Sequence, residues 1–473
     1  MRQEKPGIPR MITRRFPART ENSKNMATLS VDPKSPAKTF VEAAAASRLI
    51  DREVLMRIYA GGPPSATTTA DRFAGYLVER GELTQFQADK ILAGATSGLC
   101  VGKYRVLCPI ARGGMGIVYL ARELDPAKPG AGRLVALKIL APRRAKKEPR
   151  TLIRFQREME LGRALPPHAH LVQTYDSGTA DGVHYLALEY VPGVNAKQLA
   201  DLGTLTVERA ARAFADVASG LHATHRAGIV HRDVKPANIM VLPTGRGKLL
   251  DFGLAMKLGE IPHGDPSILG GKGYTLGTMD FLAPEQGIDA LTVTPAADIY
   301  ALGCSLYYAL GGTVPFPAGS AREKIKLHQT ATPKPLQQLN PTVPSDFVDL
   351  IDWMMAKKAE DRPASGQAIA EGLEKWAPKA KPLATLKPDP EWERNTIREV
   401  EKRWQSFRDD GSENDASDEM RSTPTAITER PRGDYREFQR GRRKLVYVIT
   451  AAVGSILVAS AIAFVLFLGK KPK

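Results

Sequence analysis

Cysteine is scarce in this sequence, with three residues, Cys100, Cys108 and Cys304, among 473. Their number is odd and no two of them form a C-x-x-C pair. A disulfide framework and a cysteine-based zinc site are therefore not predicted. We expect the main domain to lie in a reducing compartment.

A basic surface stripe with interleaved aromatic residues is also missing, although the net charge is +16 and the pI about 9.6. The basic residues fall in the N-terminal tail, in residues 143–147 and beside an apolar segment near the C-terminus. Solvated, scattered Lys and Arg are favoured over a nucleic-acid surface, so no nucleic-acid partner is predicted. No apolar run of the signal-peptide type occurs near the N-terminus.

One long run does lack charge, at residues 445–468. As a helix it would be roughly 36 Å long, which suffices to cross a bilayer. A buried core helix is the alternative, but such helices normally have a polar face and this segment has none. We therefore predict a single-pass C-terminal membrane anchor, with the short tail 469–473 after it. The flanking basic residues slightly favour the cytoplasm for the N-terminal side.

The rest of the chain divides by composition and periodicity. A translation start at Met26 is an alternative explanation for the basic N-terminal stretch. A short helix around residues 392–407 is expected within the polar segment 377–444. The predicted segments are a disordered basic N-terminus (1–38), a small helical module (39–98), a main domain (102–376) and a flexible tether (377–444).

Polar side chains crowd into HRDVKPANIM, residues 231–240, between apolar neighbours. Asp233 can accept a proton or orient a hydroxyl, and Lys235 can neutralise a transferring phosphoryl group. Asn238 and, in the later KLLDFGLA segment, Asp251 offer oxygen ligands of the kind that Mg²⁺ prefers. A well-hydrated turn is the alternative interpretation of this crowding.

Two further features point to phosphate chemistry. ARGGMGIVYLA (111–121) is a glycine-rich turn whose N–H groups can contact phosphates, although glycine-rich hairpins are common. Lys138 lies inside the apolar strand VALKIL, where it needs a carboxylate partner, and Glu158 and Glu160 on the next helix are the options. A lysine that snorkels from an edge strand is the alternative.

These motifs, followed by APE in GTMDFLAPEQ (277–286), have the order of the protein kinase signature. From about Tyr104 to Trp376 the chain resembles the catalytic domain of bacterial, eukaryotic-like serine/threonine kinases. GGMGIVY, HRDVKPANIM and the Gln after APE are similar to those of membrane-anchored bacterial kinases. The module that ends in GELTQFQADKIL resembles the layout of many planctomycete kinases. The resemblance implies an α+β fold with a small antiparallel β lobe, a large helical lobe, and ATP and Mg²⁺ between them.

The resemblance also implies roles for individual residues. Lys138 would hold the α- and β-phosphates and pair with Glu158, while Leu188 would be the gatekeeper and Glu189 to Val191 the hinge. Ala111 stands where the family has its first loop glycine. The nucleotide-binding positions implied are Ala111, Gly113, Gly114, Gly116, Val118, Ala136, Lys138, Glu158, Leu188, Glu189 and Val191.

For the reaction itself, the resemblance implies that Asp233 is the catalytic base and that Lys235 stabilises the transferred group. Asn238 and Asp251 would hold Mg²⁺. Two structural roles are also implied: Glu285 would pair with Arg362 in the large lobe, and Asp298 would brace the catalytic loop.

We therefore expect a serine/threonine protein kinase on the cytoplasmic face of a membrane. Thr275 is the predicted autophosphorylation site, and Thr278 is expected to contact Asp233 and Lys235. The alternatives are a pseudokinase scaffold, which only Ala111 supports, and a membrane-tethered assembly protein. The sequence leaves the protein substrate, the activating signal and homodimerisation open.

Overall fold

The computed structural model describes residues 32, 34–113, 116–124, 132–258, 279–288, 293–317, 319–377 and 390–409. Among these residues, no helix is both long and apolar enough to cross a bilayer. The predicted anchor at 445–468 lies outside the described residues, as does most of the N-terminal stretch predicted to be disordered.

The helical module at the start of the described chain has its own apolar core. Phe40, Phe73 and Leu77 are fully buried there, and the two phenyl rings meet edge to face at 6.4 Å. Thr84 and Gln87 form a capping box, which satisfies the free backbone N–H groups where the fourth helix begins. The helices are α1 (Ala37–Ala46), α2 (Arg52–Gly61), α3 (Ala70–Glu79) and α4 (Gln85–Leu92).

An antiparallel sheet with strand order β1-β2-β3-β4-β6-β5 forms the small lobe. β4 reads LVALKIL and pairs with β3 and β6. It is largely buried because its side chains enter two apolar clusters, with Val135 and Leu137 in one and Leu140 in the other. A long helix, α6, packs beside it through the fully buried Phe155. The elements are β1 (Cys100–Val101), β2 (Tyr104–Gly113), β3 (Gly116–Glu123), β4 (Leu134–Leu140), α5 (Pro142–Lys147), α6 (Pro149–Ala164), β5 (Thr174–Ala180) and β6 (Val183–Glu189).

The large lobe is mainly helical and contains the largest apolar cluster. Helix α9 is apolar on nearly all sides, and it is accordingly buried at the centre. The strands and α-helices of the large lobe are β7 (Val194–Asn195), α7 (Ala196–Asp201), α8 (Val207–Arg226), β8 (Ile229–Val230), β9 (Ile239–Val241), β10 (Gly247–Leu249), β11 (Met256–Lys257), α9 (Pro295–Gly311), α10 (Ala321–Thr330), α11 (Leu336–Leu339), α12 (Ser345–Met354) and α13 (Gly366–Leu373).

The prediction of a flexible tether from 377 to 444 is wrong for residues 390–409. These residues form helix α14 (Pro390–Asp409), which packs against the small lobe. The helix is ordered there because Trp392, Ile397 and Val400 form one apolar stripe, and Val400 is only 5% exposed. The predicted short helix around 392–407 lies within α14.

Candidate active site

The glycine-rich turn joins β2 to β3, and Gly113 and Gly116 form its last cross-strand pair. Gly116 has a φ of +142°, and a Cβ at this position would lie 2.4 Å from the carbonyl oxygen of Ile139. A side chain here would therefore clash with β4. Ala111 pairs with Val118 in the same hairpin, and Gly114 lies outside the described residues.

A buried ion pair joins the sheet to helix α6. Lys138 Nζ lies 2.7 Å from both carboxylate oxygens of Glu158 and 3.5 Å from Oδ1 of Asp251. Burial alone would lower the pKa of Lys138, but the carboxylates of Asp251 and Glu158 outweigh it and raise that pKa. Burial raises the pKa of Glu158, and the Lys138 ammonium opposes that rise. The contacts to both carboxylate oxygens have the geometry of an ammonium–carboxylate pair. Glu160, the other sequence option, is exposed.

The segment that connects the lobes begins at the end of β6. Leu188 pairs with Ala136 and Glu189 with Val135 across the sheet. Lys248 Nζ contacts both carboxylate oxygens of Glu189 at 2.7 Å. The Glu189 side chain therefore joins the end of β6 to β10 in the large lobe.

Asp298 on α9 accepts hydrogen bonds from the backbone of the loop between β8 and β9. Its carboxylate is fully buried and accepts the backbone N–H of His231 at 2.8 Å and that of Arg232 at 2.7 Å. His225 Nε2 lies 2.8 Å from the same carboxylate. Arg232 has a φ of +68°, a strained conformation for a residue with a side chain, and the Asp298 hydrogen bonds stabilise it.

The catalytic-loop side chains predicted from the sequence come together. Lys235 Nζ donates to Oδ2 of Asp233 at 2.7 Å. Asn238 Nδ2 donates to the Asp233 carbonyl at 2.9 Å and to Asp233 Oδ2 at 3.2 Å. Asp233 is thus held by two donors, and its carboxylate remains partly exposed to the cleft.

Asn238 and Asp251 fit a divalent metal. Because the Asn238 amide nitrogen is engaged by Asp233, its Oδ1 is the atom left for a cation. The Asp251 side chain is 41% exposed, and its Oδ1 accepts the N–H of Gly253 at 3.1 Å. Amide and carboxylate oxygens are suitable ligands for a hard cation. Asp251 has a φ of +61°, which adds local strain at this position.

The Lys138–Glu158 pair, the Asp233–Lys235 pair, Asn238 and Asp251 border one cleft of about 1450 Å³ between the lobes. Residues predicted to contact the phosphates and residues predicted to form the hinge both line it, and the site is large and partly apolar with convergent polar groups. The sequence-predicted residues that line it are Ala111, Gly116, Val118, Ala136, Lys138, Glu158, Leu188, Glu189, Val191, Asp233, Lys235, Asn238 and Asp251.

The comparison with known families agrees with this geometry. The protein kinase domain family matches residues 104–373, which is more than half of the chain. The chain belongs to the protein kinase family. Its two-lobed fold is that of this family, and kinases of the family use ATP and a divalent metal ion.

Several bacterial kinases are similar to this chain over more than half of its length. The probable serine/threonine-protein kinase pknA2 of Bifidobacterium longum is 34% identical over 281 residues, 59% of this chain and 35% of that protein. Pkn2 of Myxococcus xanthus is 35% identical over 58% of this chain and 32% of its own. PknB of Mycobacterium tuberculosis is 34% identical over 53% of this chain and 39% of its own. The chain thus matches about a third of the length of these curated relatives.

The large lobe of the kinase contains the predicted Glu285–Arg362 pair. Arg362 donates to Oε1 of Glu285 at 2.7 Å and to Oε2 at 2.8 Å, and its side chain is fully buried. The candidate phosphorylation sites Thr275 and Thr278 lie outside the described residues.

Sequence reasoning missed four residues at this site. Lys248 and His225 act through Glu189 and Asp298, which are distant in the sequence. Arg403 and Trp404 of α14 also line the cleft, although they lie beyond the family match. The two tryptophans of α14, Trp392 and Trp404, are the signal that the sequence offers. Their pattern does not reveal which surface the helix covers.

Proposed function

We propose that this kinase transfers the γ-phosphoryl group of ATP to serine or threonine hydroxyls of protein substrates, with Mg²⁺ as the metal. One observation carries the proposal: a single cleft brings together the Lys138–Glu158 pair, Asp251 and the Asp233–Lys235 pair. Phosphoryl transfer depends mainly on positioning and on electrostatic stabilisation, and these groups can supply both.

In this mechanism, Asp233 accepts the proton of the substrate hydroxyl as that oxygen attacks the γ-phosphorus, and the bond from the γ-phosphorus to the β–γ bridging oxygen breaks, so that ADP leaves. Lys235 donates a hydrogen bond to the Asp233 carboxylate and offsets the negative charge that develops on the phosphoryl oxygens. Lys138, fixed by Glu158, orients the α- and β-phosphates. Asn238 and Asp251 would hold Mg²⁺, which supplies charge neutralisation to the phosphates when bound.

Serine/threonine specificity is supported by the names of the relatives and by Lys235 in the catalytic loop. The test uses the full chain with Mg²⁺, γ-labelled ATP and casein as a generic substrate, followed by acid hydrolysis to phosphoamino acids. We expect label on phosphoserine or phosphothreonine. Label on phosphotyrosine alone, or no label with a folded chain, would contradict the proposal.

We also infer a membrane-anchored layout with the kinase domain on the cytoplasmic side, and a planctomycete-like arrangement in which the N-terminal helical module precedes the kinase domain. The uncharged segment 445–468 supports this inference. The full chain should float with lipid vesicles in a density gradient, and an Ile456→Arg, Leu457→Arg variant should not. Flotation of both proteins to the same extent would contradict the inference.

A regulatory phosphate on Thr275 is a further part of the proposal, with Thr278 as a structural group that contacts Asp233 and Lys235 on the substrate side. Arg232, next to Asp233, supports it because an arginine at this position can pair with a phosphate. Phosphopeptide mapping of active protein should find phosphate on Thr275. Active protein with no phosphate between residues 260 and 280 would rule this out. Homodimerisation stays a prediction, which light scattering can test.

A further inference from the structure

Helix α14 is an integral part of the small lobe although it lies beyond the family match at 104–373. Val400 is buried in an apolar cluster with Leu107, Leu120 and Leu134 from the sheet. Glu393 adds an ion pair with Arg122, and both side chains are largely shielded from solvent. The contact therefore combines apolar burial with a partly desolvated charge pair.

Two residues packed against this cluster, Tyr190 and Ile110, also line the ATP cleft. Tyr190, which stands between hinge residues Glu189 and Val191, packs into it. Ile110, next to Ala111 at the start of the glycine-rich turn, does so as well. Burial raises the pKa of Tyr190 to about 12, so its ring is a neutral packing group. Helix α14 thus contacts a cluster that includes both the hinge and the phosphate-covering strand.

The last turns of α14 come to the edge of the cleft. Arg403 Nη1 donates to the carbonyl oxygen of Gly193, just after the hinge, at 3.4 Å. Arg403 and Trp404 line the cleft together with Tyr190 and Val191. Trp404 is partly buried and lines the cleft, so the cleft includes an aromatic residue that the family domain does not contribute. The contact of its neighbour Arg403 with Gly193 places this end of α14 beside the segment after the hinge.

The N-terminal helical module also contacts α14 directly. The Phe86 N–H donates to Oε1 of Glu401 at 3.0 Å. Gln87, one residue further along α4, donates to the carbonyl oxygen of Val106 on β2 at 2.6 Å. The position of α14 over the lobe is therefore set by specific polar contacts as well as by apolar packing.

We propose that α14 is a positioning element of the ATP site. Trp404 closes the adenine side of the cleft, and Arg403 holds the helix to the segment after the hinge. ATP affinity then depends on docked α14, whereas the transfer step depends on Asp233 and Lys235 in the large lobe. This inference rests on the proposed function, because it takes the occupant of the cleft to be ATP.

The experiment compares the full-length wild type with Trp404→Ala, Trp404→Phe and Arg403→Ala. It measures the Kd of a fluorescent ADP analogue together with the KM for ATP and kcat. We expect Trp404→Ala to raise Kd and KM about tenfold, a typical loss for one aromatic contact, with kcat within about twofold of wild type. Trp404→Phe should restore most of the affinity, and Arg403→Ala should raise Kd and KM in the same direction.

Arg398→Ala is the matched control, because Arg398 is an exposed arginine on the same helix that does not line the cleft. Equal Kd values for wild type, Trp404→Ala and Arg403→Ala would overturn the inference. A lower kcat and Tm at unchanged KM would also overturn it, since that indicates a purely structural role. If Trp404→Ala fails to fold, Arg403→Ala decides: a higher Kd than that of Arg398→Ala supports the inference, and an equal Kd overturns it.

The binding measurement separates this inference from the proposed function. Wild-type protein that binds ADP but transfers no phosphate would refute the proposed function, while the Kd comparison would still decide the role of α14. Wild-type protein that binds no nucleotide would overturn both.

Discussion

Replacing Asp298 with asparagine should both destabilise the kinase and slow phosphoryl transfer. The native carboxylate accepts the N–H groups of His231 and Arg232 and contacts His225 Nε2, all within 2.8 Å. An asparagine keeps one acceptor oxygen and turns an NH₂ group toward the remaining donors. At least one buried donor therefore loses its partner.

The magnitude follows from these contacts. A buried donor left without a partner costs about 1–3 kcal/mol, and bonds to a charged acceptor are worth more than neutral ones. The strained Arg232 backbone also loses its support. We expect the free energy of unfolding to fall by roughly 2–4 kcal/mol, which lowers Tm by about 5–15 °C for a domain of this size. Displacement of the catalytic loop should lower kcat on the order of 10²-fold.

Thermal unfolding of the full chain and initial rates of phosphate transfer provide the assay. Asp346→Asn is the matched control, because Asp346 forms an ion pair with Lys375 while its side chain is 54% exposed. Such a surface pair is worth about 0–1 kcal/mol. A Tm for Asp298→Asn within about 2 °C of the control, with kcat unchanged, would refute the reasoning.

The pH dependence of this effect has a definite sign. Burial alone would raise the pKa of Asp298, but the contacts with His225 and His231 hold it below its usual value. A carboxyl group whose pKa is lower in the folded state stabilises the fold above its unfolded pKa of about 3.9 and loses that contribution as the pH falls through the folded value. The Tm difference between wild type and Asp298→Asn should be constant from about pH 5 to pH 8 and should shrink below roughly pH 4.

Three further outcomes are expected. Lys138→Met and Glu158→Gln should each lower kcat/KM by about 10²-fold or more in phosphate-transfer assays, while Glu160→Gln on the exposed side of α6 should not. Lys138→Met removes the ammonium group from the buried Glu158, and Glu158→Gln leaves Lys138 with only the more distant Asp251 carboxylate at 3.5 Å. Unaltered activity of Glu158→Gln would contradict the assigned pair. Gly116→Ala should weaken ATP binding and lower Tm, because its Cβ would clash with the Ile139 carbonyl; a wild-type Kd for ATP would count against this. Chelation by EDTA should abolish transfer and added Mg²⁺ should restore it, whereas full activity in EDTA would exclude the assigned metal role.

Local chemistry explains what the sequence could predict. The apolar run around Lys138 predicts a buried strand, and a charge inside it requires a partner. The choice between Glu158 and Glu160 depends on how helix α6 is rotated against the sheet. That rotation is a tertiary property, so the residues alone left both options open and the family resemblance was needed to choose Glu158.

Contacts between distant segments were beyond sequence reasoning. Lys248 meets Glu189 across 59 residues of chain, and no local pattern marks that pair. The composition of α14 is strongly polar, with only a thin apolar stripe that includes Trp392, Ile397 and Val400. Such a stripe predicts a helix but does not reveal the surface that it covers, and the segment was therefore predicted to be part of a tether.

The central claim is that Asp233 performs proton transfer in a cleft that binds ATP through other groups. The most direct measurement compares wild type and Asp233→Asn for both ATP affinity and the rate of phosphate transfer. The account predicts that the variant binds ATP within about threefold of wild type and loses transfer by about 10²–10⁴-fold, the usual contribution of a general base. Transfer by the variant at the wild-type rate would contradict the account.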